Sequence, residues 1–89
     1  MADPLEIWVQ ETPNPNALKF TLNRVVAERG TTYRDAKAAE PEWARQLLGI
    51  PGITQVFAMN DFVSVTKTPD ADWGVIGPQA EQILRRTVQ

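Results

Sequence analysis

The chain has 89 residues, with 9 Lys+Arg against 11 Asp+Glu, and contains neither cysteine nor histidine. That length supports one small domain, read as residues 1–89, burying only about 60–68% of the surface its unfolded chain exposes. Without Cys or His there are no disulfides, thiolate zinc sites, Cys-ligated iron–sulfur clusters or Cys/His-based nucleophilic and acid–base catalysis.

Carboxylates, hydroxyls, lysines and Tyr33 remain for any chemistry. A net charge of −2 argues against nucleic acid, which requires a clustered basic face. No apolar run approaches the ~18 residues that read as a membrane span. Met1-Ala2-Asp3-Pro4 has no positive or apolar leader character, so a cytoplasmic location and no membrane partner are expected, and a monomer is assumed.

In chain order, Leu5, Ile7 and Val9 alternate with polar residues, as do Leu18, Phe20 and Leu22. This period of two predicts strands over 5–10 and 17–22 with those six residues on one face. Glu6, Trp8, Gln10, Ala17, Lys19 and Thr21 take the other. The intervening Thr12-Pro13-Asn14-Pro15-Asn16 cannot be helical, because each proline pushes its predecessor into extended geometry. Pro15 suits the first central position of a turn, and Asn16 is expected to be left-handed at the second. Residues 24–40 are poorly patterned; Val25-Val26 is a candidate short strand and Gly30-Thr31-Thr32 a candidate turn.

Pro41 opens a helix whose apolar stripe runs through Trp43, Ala44, Leu47 and Leu48, and Gly49 with Pro51-Gly52 ends it. Strands over 53–59 and 62–67 follow, joined at Asn60-Asp61. Their register places Val56, Ala58, Val63 and Val65 on a core face and Gln55, Phe57, Met59, Phe62, Ser64 and Thr66 opposite. Asp72 then caps a helix starting at Trp73, with Trp73, Ile76, Ala80, Ile83 and Leu84 on one side and a kink or separate first turn expected at Pro78. The expected fold is α+β: a two-layer sandwich of order β-β-α-β-β-α, with a mainly antiparallel four-stranded sheet and two helices on one face. The other face then meets water or a partner.

Glu11-Thr12-Pro13-Asn14-Pro15-Asn16-Ala17-Leu18-Lys19-Phe20 resembles the opening of the Nfu/NifU N-terminal domain family. Ile50-Pro51-Gly52-Ile53-Thr54-Gln55-Val56-Phe57, then Asn60 to Lys67, Asp72-Trp73 and Gly77-Pro78, follow in that family's order. The resemblance runs from about residue 5 to about residue 87; Pro41-Glu42-Trp43-Ala44-Arg45 departs from the family's usual helix start. It implies a role in iron–sulfur cluster assembly or transfer, in which a separate CxxC-bearing domain handles the cluster. These residues carry no CxxC, so the resemblance implies a stand-alone N-terminal-type domain. It would be a non-catalytic interaction module, with no cofactor of its own, that docks a Cys-bearing scaffold, carrier or apoprotein client.

The expected partner-binding residues are Trp8, Thr12, Pro13, Asn14, Pro15, Asn16, Lys19, Phe57, Met59 and Phe62. The loop residues form a stiff element with little ordering cost on binding; the competing reading is a turn that only sets strand register. The aromatic and Met residues would form an apolar patch, unless the 24–40 segment covers them. Glu11, Asp61, Asp70 and Asp72 lack the dense spacing of a metal loop, so direct iron binding is not expected. The alternative function is a peptide or phosphopeptide adaptor, which would need Arg24, Arg34 or Arg45 to converge on one pocket.

Overall fold

The computed structural model describes residues 4–88. Their order is β1 (Ile7–Glu11), β2 (Ala17–Leu22), β3 (Ala27–Tyr33), α1 (Glu42–Leu48), β4 (Ile53–Asn60), β5 (Phe62–Lys67) and α2 (Trp73–Thr87). The strands form one antiparallel sheet, β1-β2-β5-β4-β3. The α+β class stands, but the sheet has five strands rather than four and the order is β-β-β-α-β-β-α.

The extra strand, β3, lies in the stretch that carries no clear pattern. Gly30-Thr31-Thr32 is strand rather than turn, and Val25-Val26 lies outside it. Period two fails here for a local reason. Ala27 pairs with Asn60 and Thr31 with Ala58, so residues 28–30 face Met59 alone, a bulge that breaks the alternation. Residues 23–26 carry the chain around the tip of the β4–β5 hairpin. Leu22 N–H donates to the Asp61 carbonyl and Val26 N–H to the Asn60 carbonyl, each at 2.7 Å. Asn60 at that tip has φ 54°, the left-handed turn geometry expected of it.

Both helices pack on the sheet face that bears Leu18, Phe20, Leu22, Val56, Ala58, Val63 and Val65. Trp43, Ala44 and Leu47 come from α1, and Ile76, Ala80, Ile83 and Leu84 from α2. Tyr33 of the β3 edge meets Trp43 edge-to-face at 5.7 Å, which holds that edge to α1. The β1 edge has no such cover: Val9, expected in the core, is 48% exposed. The sheet is wider there than the helical layer above it.

Asp72 caps α2 as expected, its carboxylate accepting from Gly74 N–H at 2.8 Å. Pro78 does not split off a first turn; α2 is one element that contains it. Only one helical backbone hydrogen bond is lost, since proline removes a single donor. No helix among the described residues is long and apolar enough to cross a membrane.

Gly52, where α1 turns into β4, has φ +98°. A β-carbon there would lie 2.8 Å from Ala71 Cβ and 3.3 Å from Ile76 Cδ1. Gly52→Ala is therefore expected to cost about 1–3 kcal/mol, read as a lowered urea midpoint at unchanged slope.

Candidate functional site

The β1–β2 loop is built from its own short side chains. Asn14 N–H donates to the Thr12 hydroxyl at 3.2 Å, and that oxygen lies 2.9 Å from the Asn14 carbonyl and 3.1 Å from the Ala17 carbonyl. Asn14 Oδ1 accepts from Asn16 N–H at 2.9 Å, and Ala17 N–H donates to the Asn14 carbonyl at 3.0 Å. Pro15 and Asn16 are thus the central residues of a closed turn. Asn16 is not left-handed, since Asn60 is the sole non-glycine residue with positive φ among those described. The Asn14 side chain holds the Asn16 N–H in an Asx turn instead.

Beneath this loop lies Lys67, only 8% exposed, at the end of β5. Its ammonium donates to Asn16 Oδ1 at 3.1 Å and to the Thr68 carbonyl at 3.2 Å, and sits 5.7 Å from the Trp73 ring centroid. The Trp73 indole N–H donates to the Pro15 carbonyl at 3.0 Å. One buried cation therefore joins the loop, the end of β5 and the start of α2. The sequence does carry a signal for it, because Lys67 continues the Val63, Val65 alternation onto the core face. A charge at a core-facing strand position demands partners.

Nearby, the Asp70 carboxyl is held below its usual value, chiefly by the Thr68 hydroxyl, then by its own backbone N–H and the Lys67 charge. Asp61 sits in the hairpin turn, Asp72 caps α2 and Glu11 ends β1. No group of three or more such side chains among the described residues is placed to hold a metal ion. Lacking thiolate and imidazole, the residues present do not fit an iron–sulfur cluster.

The uncovered face of the sheet is defined by register. One row runs Trp8, Thr21, Phe62, Met59, and the next runs Gln10, Lys19, Ser64, Phe57, Thr32. Trp8 is 50% and Met59 40% exposed. Phe57 and Phe62 lie 6.0 Å apart, and the Lys19 ammonium sits 4.6 Å from the Phe62 centroid. The bulge brings Gly30 against the Phe57 ring, where a β-carbon would approach within 3.1 Å. β3 thus extends this face sideways and does not cover it.

The ten candidate residues therefore fall into two groups. Trp8, Lys19, Phe57, Met59 and Phe62 share the open face. Thr12, Pro13, Asn14, Pro15 and Asn16 form a separate element at the end of the sheet, tied to the helical layer through Trp73 and Lys67.

A sheet of five strands with one bare face and two helices on the other is the architecture of a known domain class. A crystal structure of protein SAV1430 from Staphylococcus aureus has a TM-score of 0.81 at 31% identity, covering 89% of this chain and 98% of that one. The solution structure of a NifU-like protein from Saccharomyces cerevisiae shares the fold, with TM-score 0.82 at 23% identity, covering 93% of this chain and 77% of that one. Residues 7–89 match the family described as "Scaffold protein Nfu/NifU N terminal". The chain belongs to the Nfu N-terminal domain family. It is also similar to conserved virulence factor C of Staphylococcus aureus (strain bovine RF122), 39% identical over 71 residues, or 79% of this chain and 19% of the relative. The protein of the same name from Staphylococcus haemolyticus is 32% identical over 77 residues, covering 85% of this chain and 21% of that one. The chain spans about a fifth of the length of these curated relatives.

Lys67→Met keeps the apolar stem and deletes the donors to Asn16 and Thr68. A loss of about 1–2 kcal/mol is expected, with faster amide exchange confined to residues 12–17 and the start of α2. Unchanged stability and exchange would mean that these bonds hold nothing together. For Asp70 the pH sign follows from its lowered folded value. Its contribution is present above the unfolded carboxylate range, about pH 4, and fades as pH falls through the folded value. The stability difference between the parent chain and Asp70→Asn should therefore shrink below about pH 4, measured by denaturation across pH 2–7.

Proposed function

We propose that this domain carries out no chemistry itself and docks a separate cysteine-bearing iron–sulfur scaffold, carrier or apoprotein client through its open sheet face. The observation that supports this reading is the patch of Trp8, Phe57, Met59 and Phe62 on a face that no described element covers. Large aromatic residues are the commonest anchors of protein interfaces. Lys19 beside them adds a cation that an acidic partner surface would complement. Family membership supplies the iron–sulfur context, and the lack of thiolates leaves the cluster to the partner. In the staphylococcal relatives the similar segment is about a fifth of the chain, the proportion of one attached module among others.

The phosphopeptide alternative finds less support. Arg34 donates to Gln55 at 3.2 Å and Arg45 to Glu42 at 2.7 Å. Arg24 precedes β3 and Arg34 follows it, so the strand's seven residues separate them, a span of about 20 Å or more. That separation does not favour a shared pocket.

The test is a backbone NMR titration with the same organism's CxxC-bearing scaffold, apo and cluster-loaded. Shifts centred on Trp8, Lys19, Phe57 and Phe62 are expected, larger with the loaded form. Replacing Trp8 and Phe62 together by Ala should weaken binding about tenfold or more while the fold persists, because Trp8 is half exposed. Silence of every resonance at about 0.5 mM scaffold, well above a micromolar Kd, would sink the reading.

A further inference from the structure

The two edges of the sheet are built differently. β3 carries a bulge, the exposed charges Glu28 and Arg29, and the Tyr33–Trp43 contact, all features that discourage further strand pairing. β1 reads Ile7-Trp8-Val9-Gln10-Glu11, regular in register, without proline or lysine. Its one charge, Glu11, lies at its last position, so Ile7 to Gln10 are left open to a sixth strand.

Its free hydrogen-bonding groups can be assigned. Asn23 N–H donates to the Glu6 carbonyl at 3.2 Å, so Glu6 and Asn23 are a bonded pair. By antiparallel alternation Trp8/Thr21 and Gln10/Lys19 are bonded too. The N–H and C=O groups of Ile7, Val9 and Glu11 therefore point away from β2, along the outer edge. Their side chains point towards the helical layer, as those of their partners Leu22, Phe20 and Leu18 do.

Along that edge runs a groove between β1 and α2 with two hollows. One, of ≈ 320 Å³, is lined by Glu11, Thr12, Pro15, Ala17, Leu18 and Trp73. The other, of ≈ 250 Å³, is lined by Val9, Phe20, Gly77, Pro78 and Glu81. Val9 and Glu11 are two apart on β1, while Trp73 and Gly77 are four apart on α2. Those steps are each about 6–7 Å, so the hollows repeat at the spacing of alternate residues on an added strand. The Pro15–Trp73 bond closes one end, and the bond from Arg85 to the Leu5 carbonyl at 3.1 Å closes the other. Each hollow has apolar walls and one carboxylate, Glu11 or Glu81. Glu11 pairs with no cation among the described residues, and Glu81 has only an exposed 3.9 Å approach from Arg85.

The geometry points to a peptide-binding groove in which an extended segment pairs with β1 as a sixth strand. The ligand has two apolar residues two apart, one for each hollow, flanked by lysine or arginine to meet Glu11 and Glu81. Main-chain bonds to Ile7, Val9 and Glu11 supply affinity, and the hollows with their carboxylates supply selectivity. The open face is not involved, so this inference stands apart from the docking proposed above.

The probe is the blocked peptide Lys-Ser-Val-Ser-Leu-Ser-Lys, titrated into the labelled full chain. Binding with a Kd on the order of 0.1–1 mM is expected, with shifts at Ile7, Val9, Glu11, Trp73 and Gly77. Exchange of the Val9 and Glu11 amide protons should slow, a mark of strand pairing that mere apolar contact would not leave. Replacing both lysines of the peptide by glutamate should weaken binding about tenfold or more, a loss within the range of charge pairs across an interface. Gly77→Leu should fill the second hollow and abolish binding. Nothing lies within 4 Å of a β-carbon at Gly77, and leucine favours helix over glycine, so this variant stays folded. It should leave scaffold binding to the open face unchanged. Equal binding by Gly77→Leu, shifts confined to the open face, or a concentration-dependent dimer closed through β1 in place of peptide binding would each overturn the inference.

Discussion

A single buried charge sets how the pieces of this domain meet. Removing an ammonium from water costs several kcal/mol, and Lys67 recovers that only where Asn16, the Thr68 carbonyl and the Trp73 ring converge on it. Each belongs to a different segment, so satisfying the charge places the β1–β2 loop over the end of β5 and fixes where α2 begins. The indole of Trp73 then reaches the Pro15 carbonyl and anchors the loop to the helix. With its start fixed there, α2 runs alongside β1, with Gly77, Pro78 and Glu81 across a groove from Val9 and Phe20. The exposed Val9 and the groove beside it follow from that placement.

The division of the sheet into a covered and a bare face has a simpler origin. Two helices of seven and fifteen residues can roof only one side of five strands. Alternating side chains put Leu18, Phe20, Val56, Val63 and Val65 under that roof and leave Trp8, Phe57, Met59 and Phe62 on the other side. A domain this small has no third layer with which to hide them.

The regular hairpins were legible because their period of two is uninterrupted. The registers Met59 with Phe62 and Val56 with Val65 follow from the turn length alone. The membership of the open face followed too, since parity along each strand assigns every side chain once the core side is known. β3 was not legible. Its Glu28-Arg29-Gly30 run sits in a bulge on an edge, where a strand needs no apolar face and the alternation that marks strands is lost. The Asn16 conformation was missed for a related reason: the Asn14 side chain supplied the turn's bond locally and made a left-handed residue unnecessary.

By itself, the sequence determined that these residues supply no thiolate or imidazole, the two hairpins, the two helices with the Asp72 cap, and the pairing of each residue with one face of its strand. These are local properties, set by residue type, backbone preference and short-range periodicity. The tertiary structure alone decided that Ala27–Tyr33 joins the sheet as a fifth strand, that the loop and the aromatic patch are separate surfaces, and that β1 stands free beside α2. Those outcomes depend on long-range packing around Lys67 and on which edge the helices fail to reach. No window of neighbouring residues contains that information.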